Sequence, residues 1–334
     1  MLKVAIVGTG NVATHSYLPY LVAHEQVYLS YFNRTRAKSE EAAHHFGGWA
    51  AGSLAELVAE EPDATLVLTP ETVRDEVALE LIALKPKRLF FEKPLVAKHG
   101  QANVTEEDFR LGRSLLQQAQ AANCETAMIF NYRYFGQVLR ARELVTSREL
   151  GRLMNVSALV HYACWSHCID LILYFGGPIA ELAALASDAQ RGSASSEQAV
   201  DVAATFRTQA DASGTIIGTL GMDFAMPLFE LTLGYEYGRI RLRDLDGDLE
   251  LLDYRNRRHE TYALSRNSSR WEQYNATFAA SLKDYLATVR AGSPPPIPGL
   301  AGLAELQVEA AMKRSIRELR PVVLNREFPL ELES

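Results

Sequence analysis

Two rhythms of apolar and polar residues divide this chain. Over roughly the first 130 residues, short apolar runs alternate with segments whose apolar positions recur at helical spacing. Residues 2–7, 27–32, 64–68, 88–91 and 126–130 read as strands, the first a short apolar, β-branched run. Between them, helices are predicted from the glycine turn after Val7 through Leu21, over 37–45, and from an N-cap at Ser53 to Glu60. A further helix is predicted over 71–84, where Val73, Val77, Leu81 and Leu84 share a face, and another from a capping box at Thr105-x-x-Asp108 to about Ala122. Strands alternating with helices predict a doubly wound parallel sheet, the Rossmann arrangement.

Beyond residue 130 the period changes. A helix over 135–146 leads to a long strand over 153–162, then a short helix over 166–175 stopped by Gly176-Gly177-Pro178. Five β-rich segments follow at 179–187, 199–208, 213–222, 228–235 and 238–243 with hairpin-like spacing, which predicts a mainly antiparallel sheet. The small, polar stretch 187–198 reads as a flexible loop. Helices are expected over 271–291 and 300–319, either side of Pro294-Pro295-Pro296. The fold class expected is α/β, with a dinucleotide-binding Rossmann domain over 1–126 and a second domain over 127–334.

Composition adds limits. The 334 residues suit about two domains of ~150 residues. A net charge of −7 without a basic block argues against nucleic acid as a main partner. No apolar run approaches the ~20 residues of a membrane span, and a strand starting at Leu2 leaves no room for a signal peptide, so a cytoplasmic location is expected. Cys124, Cys164 and Cys168 are too few for a disulfide framework. The last two lack a second ligand pair, so no metal site is expected.

The chemistry begins at Gly8-x-Gly10-x-x-Ala13. A strand, a tight turn and a helix start form a cradle for a pyrophosphate, with Gly8 allowing the turn and Gly10 letting the backbone approach the phosphate. Gly8, Thr9, Gly10, Asn11 and Val12 are therefore expected to bind a dinucleotide. The second strand ends at Asn33-Arg34-Thr35 without the carboxylate that binds the ribose hydroxyls of NAD. Arg34 can instead pair with a 2′-phosphate, so NADP is expected over NAD. Thr69-Pro70 and Glu92-Lys93-Pro94 stand at strand C-termini, where open α/β sheets place their ligands.

With these residues in hand, the chain resembles the glucose–fructose oxidoreductase, inositol dehydrogenase and MocA-type oxidoreductases. The resemblance rests on Gly8-Thr9-Gly10-Asn11-Val12-Ala13, Thr69-Pro70-Glu71, Glu92-Lys93-Pro94, Asn131-Tyr132-Arg133, Gly151-Arg152-Leu153, His167-Cys168-Ile169-Asp170-Leu171 and a C-terminal helix near Ala301–Arg317. It implies a second α/β domain whose large open sheet roofs the nicotinamide and serves as an oligomer interface, here a homodimer or homotetramer. It implies hydride transfer between NAD(P) and a hydroxyl or carbonyl of a sugar, cyclitol or related metabolite. Lys93, beside the nicotinamide ribose, and His167 would be catalytic, with Asn131 and Arg133 meeting substrate. A cis Lys93–Pro94 bond, frequent in the family, would turn Lys93 into the site. Asp170 would orient His167, and Tyr162 or His161 would lend support. The family often has an aspartate four residues before the histidine, where this chain has Ala163, and a histidine where it has Arg74. Two alternatives stay open: an NADP-binding sensor without turnover, and a reductase of a C=N substrate.

Overall fold

The structure, a computed structural model, describes residues 1–23, 27–192, 197–245, 247–264 and 269–332. Six strands form a wholly parallel first sheet: β1 (Leu2–Val7), β2 (Val27–Phe32), β3 (Trp49–Ala50), β4 (Ala64–Val67), β5 (Arg88–Phe91) and β6 (Glu125–Met128). Their spatial order, β3-β2-β1-β4-β5-β6, reverses direction between β1 and β4. That switch point leaves a crevice at the strand C-termini. Val4 to Val7 are all buried, as a central strand covered on both faces requires.

The connections are a π-helical turn at Ala13–Tyr17 running into α1 (Leu18–Ala23), then α2 (Arg36–Phe46), α3 (Leu54–Ala59), α4 (Arg74–Ala83) and α5 (Glu106–Ala121). Ser53 caps α3 by accepting from the Glu56 N–H at 3.1 Å, and Thr105 with Asp108 closes the predicted capping box on α5. The expected helix over 71–84 starts three residues late, because Thr69–Val73 is spent on a turn at the crevice.

The remaining elements are α6 (Gly136–Ser147), β7 (Leu153–His161), α7 (Trp165–Gly176), β8 (Ile179–Gly192), β9 (Gln198–Thr208), β10 (Ser213–Thr219), β11 (Phe229–Tyr235), β12 (Gly238–Arg243), β13 (Leu249–Asp253), β14 (Arg258–Tyr262), α8 (Arg270–Ala291), α9 (Gly299–Glu318), β15 (Val322–Val323) and α10 (Leu324–Glu327). Nine of these strands make a second sheet in the order β14-β13-β12-β11-β7-β10-β9-β8-β15. Its pairings are antiparallel except for β7 with β10. The expected loop over 187–198 is corrected: Ser187–Gly192 continue β8 and Gln198 opens β9, pairing through Gly192 with Gln198, while 193–196 lie outside the described residues.

The two halves share their interior. α9 packs on α5, β6 and β8, and one apolar core runs from Val7 and Phe91 through Leu303 and Leu306 to Val160 and Phe229. A second core, on the other face of the first sheet, brings Tyr17 and Phe90 against Phe278, Tyr285 and Leu286 of α8. The approach is close: a Cβ on Gly302 would stand 2.8 Å from the Met128 sulfur.

Candidate active site

At the switch point, Gly8 takes φ +95°, and a Cβ there would stand 2.9 Å from the Leu68 carbonyl carbon and the Thr69 nitrogen. Only glycine lets β1 turn this tightly against the end of β4. Gly10 is the opposite case, since a Cβ on it meets nothing within 4 Å. Its backbone faces open space ahead of the first helical turn, as a phosphate cradle needs. The buried hydroxyls Thr9 Oγ1 and Thr69 Oγ1 have no partner. Two unpaired hydroxyls flanking an open glycine turn fit a polar ligand. Asn11 and Val12 are exposed on the same turn, and Pro70 follows Thr69 on the lip of the crevice.

Asn33 closes one side: its Oδ1 accepts from the Thr9 N–H at 3.4 Å and its Nδ2 donates to the Thr35 carbonyl at 3.1 Å. Arg34 is exposed beside it, whereas Arg36 is engaged with Glu40 at 2.7 Å. No carboxylate occupies positions 33–35.

The opposite lip is Glu92-Lys93-Pro94, whose Lys93–Pro94 bond is cis. Glu92 is buried and receives the Tyr17 hydroxyl and the Lys93 N–H, each at 2.8 Å. The Lys93 ammonium donates to Gln101 Oε1 at 2.9 Å and to the Ala163 carbonyl at 3.4 Å. This second contact joins the Rossmann lip to the turn between β7 and α7. Four residues on, His167 is 2 % exposed and stacks on Tyr132 with centroids 3.9 Å apart and planes 9° from parallel. Its Nδ1 is buried without a partner. Burial, then the nearby Lys93 charge, holds its pKa well below the usual histidine range, so the ring is neutral.

Other expected site residues turn elsewhere. Asp170 does not reach His167: both its oxygens are taken by Arg133, Nε to Oδ2 at 2.8 Å and Nη2 to Oδ1 at 2.6 Å. The same contact commits Arg133, whose guanidinium also lies over the Tyr174 ring. Asn131 is fully buried and donates to Thr277 Oγ1 at 2.7 Å, tying the lip to α8. Tyr162 donates to the Val200 carbonyl at 2.8 Å, and His161 accepts from the Ala163 N–H at 3.0 Å. Helical spacing placed Asp170 one turn from His167 but could not show Arg133 arriving from another element.

Sequence reasoning missed Glu305 and Glu309, one turn apart on α9 and buried. The Trp165 indole donates to Glu309 Oε2 at 2.9 Å, while both Glu305 oxygens and Glu309 Oε1 have no donor. Two carboxylates cannot donate to each other. Burial pushes both carboxyls up, Glu305 furthest, and the pair is satisfied when it keeps a proton between its members. The signal was a pair of acidic residues four apart inside an otherwise apolar helix face. Among the described residues no cluster of three or more His, Cys, Asp or Glu side chains is placed to hold a metal, and no helix is long and apolar enough to cross a membrane.

Comparison with known proteins agrees with this fold. Residues 2–108 match the model of an oxidoreductase family with an NAD-binding Rossmann fold, GFO_IDH_MocA. A glucose-6-phosphate 3-dehydrogenase of Bacillus subtilis (strain 168) is 23% identical over 162 residues, a match spanning 48% of this chain and 42% of that relative. Among solved structures, an oxidoreductase from Agrobacterium radiobacter in complex with NAD+, L-tartaric acid and magnesium superposes with a TM-score of 0.79 at 15% identity, over 97% of this chain and 99% of its own. The WlbA dehydrogenase from Bordetella pertussis, in complex with NADH and UDP-GlcNAcA, gives 0.74 at 17% identity, over 96% and 97%. At such identities these structures speak for the fold. Over residues 2–108, its Rossmann part, the chain is similar to the GFO_IDH_MocA oxidoreductases with an NAD-binding Rossmann fold.

Proposed function

We propose that this chain is an NADP-dependent oxidoreductase that moves hydride between the nicotinamide and a hydroxyl or carbonyl of a sugar, cyclitol or related metabolite. The observation that carries the reading is the pairing across the crevice. Lys93 stands at the lip of a dinucleotide cradle, with its ammonium on the Ala163 carbonyl of the turn that leads to His167. The names of the Bacillus and Bordetella relatives support a sugar-like substrate.

The bound nicotinamide would supply the hydride acceptor or donor. The rest of the work belongs to side chains. The Lys93 ammonium would steady negative charge on the reacting oxygen. His167 is held neutral, so in the oxidative direction it can accept the hydroxyl proton; with Nδ1 facing protein, Nε2 is the atom for that exchange. Arg34 would take the 2′-phosphate of NADP, with Asn33 and Thr35 beside it. The NADP choice rests on Arg34 and on the missing carboxylate. The family model itself speaks of NAD.

The test is a fluorescence titration with NADPH and NADH, then turnover on a panel of sugars and cyclitols with Lys93→Ala and His167→Ala. Each substitution is expected to lower kcat by about 10²-fold or more while NADPH binding stays within a fewfold. Unchanged turnover in both would sink the assignment.

A second reading, an NADP-binding sensor without turnover, is favoured by two features. Position 163 offers only a backbone carbonyl where the resemblance expects a carboxylate, and the His167 ring is packed against Tyr132. Tight NADPH binding with no turnover across the panel would select it. For assembly, we propose a homo-oligomer formed through the open face of the second sheet, where Leu159, Leu185 and Ile217 are exposed.

A further inference from the structure

We propose that Arg74 is a positioning residue for Lys93: a single buried guanidinium pins the backbone on both sides of Lys93 to the end of β4, and thereby sets where the ammonium points. The kinetic arm of this inference rests on the oxidoreductase reading above; its spectroscopic arm does not.

Arg74 is an unexpected residue for its place. It is 2 % exposed and is the first residue of α4, whose N-cap Val73 offers no side-chain bond. Full burial strips the cation of water, and the positive end of a helix dipole repels it. Among the described residues no carboxylate lies within ion-pair distance of it, and its Nε is buried without a partner. Such a cation persists only where other groups hold it.

Three carbonyls do so. Nη1 donates to the Glu92 carbonyl at 2.8 Å and also to the Pro94 carbonyl, and Nη2 donates to the Thr69 carbonyl at 2.7 Å. The first two flank Lys93 in the chain, and the third closes the strand end beneath Gly8. One planar group thus bridges the two lips of the crevice. The charge is balanced at longer range by Glu92, whose carboxylate is itself fixed by Tyr17 and by the Lys93 N–H. With the backbone held on both sides, the Lys93 side chain extends to Gln101 and Ala163. A guanidinium fork presents fixed, coplanar donors, and an ammonium on a flexible stem cannot span the same three acceptors. The loop would then relax, and misplacement of a reacting group by about 1 Å costs about 10²-fold in rate.

The test uses the full chain carrying Arg74→Lys or Arg74→Ala. Arg74→Lys is expected to fold, to bind NADPH within about threefold of wild type, and to lose kcat by about 10- to 100-fold with a smaller change in KM. Millimolar guanidinium is expected to restore part of kcat in Arg74→Ala and none in Arg74→Lys. The second arm needs no turnover. Lysines are reductively methylated with 13C, and the Lys93 resonance is assigned from its loss in Lys93→Arg. That resonance is expected to move in Arg74→Lys and to lose its response to NADPH. An unmoved resonance in Arg74→Lys overturns the proposal, as does a loss of kcat matched by equal losses of stability and NADPH affinity without rescue. If wild type turns over no substrate but the resonance moves, the positioning role stands and the oxidoreductase reading falls. If Arg74→Ala does not fold, Arg74→Lys decides the question alone.

Discussion

Burial fixes the charge of His167 before any substrate arrives. The ring is enclosed by Tyr132 and Phe130, and both enclosure and the Lys93 charge disfavour the imidazolium. Because the pKa is lowered, the neutral form persists as pH falls below the ordinary value of about 6.5. For hydroxyl oxidation, kcat/KM is therefore expected to stay level through pH 6.5, with its acidic limb clearly lower; a limb at 6.5 or above would exclude His167 as the base. Arg34 offers a separate test. Arg34→Ala is expected to weaken NADPH binding by about 10-fold, in line with the ~1.5–3 kcal/mol of a hydrogen bond to a charged group, and to leave NADH binding within twofold. Equal losses measured by titration would remove the phosphate contact. At this scale the cradle was legible because glycine identity reports backbone need directly, as the Gly8 contacts show. The partners of Asp170, Tyr162 and Asn131 were not, since each bonds to a group at least 37 residues away.

Elements were legible where period and caps coincide. The capping box on α5 and the Ser53 cap on α3 are local hydrogen-bond patterns, and they closed as predicted. β13 and β14 carry no clear apolar alternation: each is five residues long, Leu249–Asp253 is broken by Glu250 and Asp253, and Arg258–Tyr262, the edge strand, carries Arg258 and Glu260. β8 outran its predicted end for a related reason. Beyond Ala186 its register shifts, and Gln190, Arg191 and Gly192 pair with β9 without an apolar signal. α9 carries the best test at this scale. Its Glu305 has both oxygens undonated and a pKa raised by burial and by Glu309. A raised carboxyl contributes its stability below the unfolded value of about 4.3 and loses it as pH climbs toward the folded value. Glu305→Gln removes that proton linkage. At pH 8 it is expected to stabilise the fold, with the gain shrinking toward pH 5. A gain independent of pH in thermal unfolding would show that the pair does not titrate as a unit.

At the scale of the molecule, the second sheet has one face packed and one face bare. Its cross-strand register aligns Leu159 of β7, Ile217 of β10, Ala203 of β9 and Leu185 of β8 in one row. Leu159, Ile217 and Leu185 are 41%, 43% and 68% exposed, although strand neighbours such as Val160 and Ile216 are buried. The next row, Ser157, Thr215 and Thr205, is polar. An apolar row crossing the middle of a nine-stranded sheet is an area that association would remove from water. A two-fold axis across it would set the row against its own copy. A lysine placed at its centre would meet its symmetry mate, and like charges facing each other in a desolvated contact cost several kcal/mol. Ile217→Lys is therefore expected to shift the protein toward monomer in sedimentation equilibrium, with the far-ultraviolet spectrum kept because the side chain already points outward. Thr215→Lys, in the polar row, is expected to shift it less. If Ile217→Lys leaves the assembly unchanged, or if wild type is monomeric throughout the micromolar range, the open face is not the contact.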